Sequence, residues 1–141
     1  MKKIPYLLII FSMYSACAQK NDAKKLIQTQ QKTTDNMDVT KLNETVKKAF
    51  EAWQNGDAET FTSFFTADAK LYDDGNPRDF KKFVKDACGH EKFTSIDKIE
   101  NDGKAIYGQF HTESWGDFKT FFKFNINNEG KFDTLEIGQA N

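Results

Sequence analysis

Few residues in this chain have the type and spacing to do chemistry, and Asp73 leads them. In the stretch Ala69 to Asp73, Leu71 and Asp73 share one face and Tyr72 and Asp74 share the other. If Leu71 is core, the Asp73 carboxylate faces phenylalanine-rich surroundings. Desolvation there raises a carboxyl pKa toward neutrality and suits the group to proton transfer. The same string, Asp73-Asp74-Gly75, also reads as a solvated turn. Arg78 is the single arginine and stands just beyond that turn. Folded back, it would offset any rise. His111 is the second candidate. It shares strand parity with Tyr107, Gln109 and Glu113, while Ile106 and Phe110 face the other way. A core built on Ile106 and Phe110 leaves His111 on the outer face, the reading we favour. The reverse would bring a histidine and a carboxylate inward for acid–base work. Cys88, a lone thiol at a helix end, reads as a small buried apolar residue. His90 beside it would need further ligands to hold a metal.

Composition narrows the classes. The chain has 141 residues, one domain's worth. Lys+Arg number 20 and Asp+Glu 21, a balance that excludes strong electrostatic attraction to nucleic acid. There is no Gly-rich phosphate loop and there are only two histidines, so no cofactor and no metal is expected. Hydrophobic residues make up 38%, but 14 Phe, 4 Tyr and 2 Trp carry much of the burial a core needs.

The two ends of the chain read differently. Met1-Lys2-Lys3, an apolar run from Ile4 to Met13, and small residues Ser15-Ala16 before Cys17 form a secretory signal, too short for a permanent span. Cys17 in that place resembles the lipidated cysteine of a bacterial lipobox, although Tyr14 replaces the usual Leu or Val. The resemblance implies residues 1–17 as signal and anchor and a lipid-anchored envelope protein, on the periplasmic or outer-membrane face. Ordinary cleavage near Ala18 would instead give a secreted protein. Residues 18–37 are polar and read as a flexible tether, and 38–141 as the domain.

Within the domain, Val39, Leu42, Val46, Ala49, Phe50 and Trp53 recur at helical spacing, with Asp38 or Thr40 as cap and Gly56 as stop. Asp57 caps a short second helix with Phe61, Phe64 and Phe65 on its apolar side. Asn76-Pro77 reads as the start of a third helix, striped by Phe80, Phe83, Val84 and Ala87. Turn strings at Asn101-Asp102-Gly103, Ser114-Trp115-Gly116-Asp117 and Asn128-Glu129-Gly130 then separate strands. Phe118, Thr120, Phe122, Phe124 and Ile126 alternate with polar residues, which leaves Phe121 on the far side. Helices first and a strand meander after give an α+β class with helices on one face of a curved antiparallel sheet.

This order of elements resembles the SnoaL-like branch of the nuclear transport factor 2-like superfamily. The strings that carry it are Phe50-x-x-Trp53-x-x-Gly56-Asp57, Phe64-Phe65-Thr66-Ala67-Asp68-Ala69 and the late Glu129-Gly130-Lys131 turn. The resemblance implies a conical, cystatin-like sheet wrapped around N-terminal helices, with a ligand-sized cavity at its open end. It places Asp73 where steroid isomerase relatives hold a general base. It also places Ala49 and Phe122 where they hold a donor tyrosine and a protonated aspartate. A base without oxyanion donors argues against that isomerase chemistry.

Three functions follow as expectations. The first is a membrane-tethered domain that binds a small apolar or amphipathic molecule, with Trp53, Leu71, Phe122 and Phe124 as pocket wall. The second is an acid–base enzyme of cyclase, dehydratase or hydrolase type using Asp73 and His111. The third is an interaction module that forms a homodimer through the outer sheet face, where Tyr107, His111 and Phe121 gather.

Overall fold

The structure is a computed structural model and describes residues 37–141. The signal, Cys17 and nearly all of the tether lie outside the described residues. Met37, expected at the tether's end, is buried in the core.

Helix α1 runs Glu44–Gln54. Its cap is Asn43, whose side chain accepts from the backbone N–H of Thr45 at 3.0 Å and Val46 at 3.4 Å. The expected caps do less. Asp38 accepts only from Thr40, and Val39 and Leu42 fall in the turn before the helix. Five apolar residues of α1 are buried, Val46, Ala49, Phe50, Ala52 and Trp53. The helix stops as expected at Gly56, whose left-handed φ of 71° lets its N–H reach back to the Trp53 carbonyl. Asp57 caps α2, Ala58–Ser63, by accepting from the Thr60 N–H at 3.0 Å. Phe65, expected on that helix, instead opens β1, Phe65–Asp73.

The Asn76-Pro77 helix start is not formed. Asp74 (φ 48°) and Gly75 (φ 83°) make a two-residue turn. Asn76–Arg78 then returns as strand β2, pairing Asn76 with Asp73 and Arg78 with Leu71. Pro77 is tolerated because β2 is an edge strand, where a missing N–H breaks no ladder. Asp79 caps α3, Phe80–Ala87, three residues later than expected.

Strands β3 (Glu91–Glu100), β4 (Ala105–Thr112), β5 (Gly116–Ile126) and β6 (Phe132–Gln139) complete a six-stranded sheet in the order β2-β1-β6-β5-β4-β3. All neighbours are antiparallel except β1 and β6, which run parallel, so the sheet is mixed rather than wholly antiparallel. Register shifts in β3, after Phe93 and after Ile96, bend the sheet. Gly108 faces this bend, where a Cβ would stand 1.9 Å from the Ser95 carbonyl oxygen. The concave face packs on α1–α3 through a continuous set of rings, among them Phe65–Phe80 at 4.5 Å and Phe93–Phe122 at 5.1 Å. Aromatics bury roughly 150–250 Å² each, which explains how a chain modest in aliphatics closes a core.

Candidate functional site

Between α3 and the concave face lies a cavity of about 750 Å³. Strand parity builds its floor. Phe110 and Phe122 alternate inward and are buried, and Phe118 and Phe83 stand half-buried beside them. Of the four expected wall residues, only Phe122 lines this cavity. Leu71 and Phe124 are buried core. Trp53 lies one layer below, stacked on Phe83 at 5.6 Å and edge-on to Phe122 at 5.3 Å. Its buried indole N–H has no partner among the described residues. Alternation separates inside from outside, but it does not tell cavity wall from packed core.

The rim is charged. Asp73 does reach the cavity, as its parity with Leu71 required. It is not alone there, because Arg78 folds back over the hairpin and pairs with it. Asp74 next to it is structural: its carboxylate accepts from the Gln139 N–H at 3.0 Å and its own N–H donates to Ile137. On α3, Lys82 pairs with Asp86 at 2.5 Å.

Glu91 is the rim residue that the sequence reading missed. It opens β3 opposite Thr112, on the same face as buried Phe93, and among the described residues it makes no hydrogen bond or ion pair through its side chain. Burial raises its pKa above the ordinary glutamate value. Arg78 pulls it down, Asp73 pushes it up, and His90 pulls it down. Its shared parity with Phe93 was the available signal.

Thr112, across from Glu91, shapes the mouth. Its buried hydroxyl accepts from the Trp115 N–H at 2.8 Å and donates to the Gly116 carbonyl at 3.3 Å. These bonds fix the β4–β5 turn and hold Trp115 at the cavity's edge, where it is 81% exposed.

His111 is not part of this site. It projects from the outer face, Nδ1 at 2.5 Å from Asp117 Oδ1 across the β4–β5 ladder. Phe110 and Thr112 take the inward parity, so the pairing of Asp73 with His111 as joint acid–base groups is not formed. Glu113 pairs instead with His90, at 3.0 Å on the surface. Tyr107 and Phe121 lie side by side on the outer face, centroids 5.9 Å apart, with the Lys98 and Lys123 ammoniums over their rings. Cys88 is buried and its thiol is pushed up to about 11, an unreactive state. Ala49 and Phe122, both buried, offer no hydrogen-bond donor.

Known structures share this architecture. A nuclear transport factor 2-like protein of unknown function from Cytophaga hutchinsonii superposes with a TM-score of 0.57 at 9% identity, covering 69% of this chain and 88% of that one. The chain has the nuclear transport factor 2-like fold. A protein from Sinorhizobium meliloti, described as a candidate polyketide cyclase, matches with a TM-score of 0.59 at 18% identity, covering 70% and 97%. The canthaxanthin-binding orange carotenoid protein of Anabaena matches with a TM-score of 0.53 at 18% identity. That match covers 67% of this chain, which spans only 35% of the carotenoid protein's length. At these identities the likeness is one of fold. The sequence matches no protein-family model and no curated protein.

Proposed function

We propose that the domain binds a small amphipathic molecule in the cavity under α3, without chemistry on it, and that Cys17 tethers it to the bacterial envelope. The observation that carries this reading is the cavity: about 750 Å³, with a phenylalanine floor and a charged rim. Small-molecule sites run roughly 300–1,000 Å³ and combine apolar walls with a few polar groups. The carotenoid-binding neighbour supports the reading by analogy of fold. An acid–base enzyme fits less well, because Asp73 is already tied to Arg78 and His111 stands on the other face. The tether rests on the sequence before residue 37.

A saturable change in tryptophan emission on adding 1-octanol to the purified protein is the expected result, since Trp115 edges the cavity and Trp53 lies under its floor. Phe118→Asp on the floor should abolish it, and Tyr107→Ala on the outer face should leave it unchanged. Equal loss in both variants, or no saturable change in the parent, refutes the reading. A second copy on the outer face is the other partner proposed, supported by the half-buried Tyr107–Phe121 pair. Sedimentation at micromolar concentration should then show a two-chain species, and a single-chain species removes this proposal.

A further inference from the structure

We infer that the cavity's ligand is cationic: an amphiphile whose ammonium head sits between Glu91 and Trp115 while its apolar body lies on the Phe110–Phe118–Phe122 floor. The inference rests on the binding reading above and narrows it to one ligand class. Five carboxylates and two cations line the cavity. Both cations are already engaged, Arg78 with Asp73 and Lys82 with Asp86. An anionic head would have to displace one of those carboxylates. Two of the remaining acids are committed to backbone N–H groups, Asp74 to Gln139 and Asp79 to Lys82. That leaves Glu91 as the half-buried carboxylate with no partner among the described residues. His90, beside it, turns to Glu113 instead. Arg78 therefore faces two carboxylates and is bonded to one.

Trp115 supplies the second element. Thr112 stands opposite Glu91 across the β3–β4 ladder and holds the Trp115 backbone at 2.8 Å, so Glu91 and Trp115 both line one mouth. An ammonium there meets a carboxylate and an aromatic surface of the kind that recognises quaternary amines. The burial that penalises the ionised Glu91 is offset once a cation sits beside it.

The test compares three probes of equal chain length, octyltrimethylammonium, 1-octanol and octanoate, titrated calorimetrically into the purified protein at neutral pH and low salt. The ammonium should bind about tenfold more tightly than the alcohol, and octanoate more weakly than the alcohol. Added salt should weaken the ammonium and leave the alcohol unchanged. Glu91→Gln should remove most of the ammonium's advantage over the alcohol. If octanol binds as well as the ammonium, if octanoate binds best, or if Glu91→Gln changes nothing, the inference falls and the binding reading stands. If none of the three binds, both fall. The salt series uses the unmodified protein, so the inference stays testable even if the variant does not fold.

Discussion

The Asp73 carboxylate holds the Arg78 guanidinium across the β1–β2 hairpin, and so the chain's single arginine is turned back onto the cavity rim. An unpaired, buried Asp73 would be costly, and its removal would stabilise the fold. The observed pair reverses that sign. Its side chains are 29% and 54% exposed, and exposed ion pairs contribute about 0–1 kcal/mol. Asp73→Asn should therefore destabilise by less than about 1 kcal/mol in urea denaturation. A clear gain in stability would contradict the pairing.

Glu91 contributes a pH dependence of its own, opposite in sign to that of the exposed, hydrogen-bonded Asp57. Burial lifts its folded pKa above the unfolded value, so the folded chain holds the proton more tightly. Its stabilising contribution is then full below glutamate's ordinary 4.5 and is lost as pH rises through the folded value. Glu91→Gln removes that loss. The variant should melt above the parent at neutral pH, by less than about 1 kcal/mol, and with it near pH 4. A variant less stable than the parent at neutral pH would show that the charged form is the favoured one.

Thr112→Val tests the mouth. The substitution keeps the shape but leaves the Trp115 N–H and the Gly116 carbonyl without their hydroxyl partner. A cost of about 1–2 kcal/mol is expected, together with a fall in tryptophan emission anisotropy as the turn holding Trp115 loosens while the buried Trp53 stays fixed. Unchanged anisotropy would mean that the turn holds without the hydroxyl.

The Asp57 cap and the Asn101-Asp102-Gly103 hairpin were legible in the sequence because each depends on local backbone chemistry, whereas the α1 cap fell on Asn43 and not on Asp38 or Thr40. Asp57 caps α2, and Asn101-Asp102-Gly103 turns with all three residues at positive φ. Asn76-Pro77 misled for the same local reason. Cap and proline have the same appearance at a helix start and on an edge strand, and the tight Asp74-Gly75 turn decided between them. The parallel pairing of β1 with β6 joins segments some sixty residues apart and leaves no local trace. Of the site, Asp73 and Phe122 followed from alternation. Glu91 did not, because a charged residue four positions past the end of α3 reads as solvated until the strand it opens is paired with Thr112.

The anchor is checked by fractionation. Cys17→Ser should move the protein from the membrane fraction to the soluble one. Unchanged membrane association, or a mature N-terminus beyond residue 17, would remove the lipid anchor from the account.

Amide chemical-shift mapping during titration with 1-octanol shows whether a ligand binds under α3. Saturable shifts are expected at Phe83, Phe110, Phe118 and Phe122, with Tyr107 and Phe121 unmoved. Shifts centred on the outer face, or none that saturate, would contradict binding there.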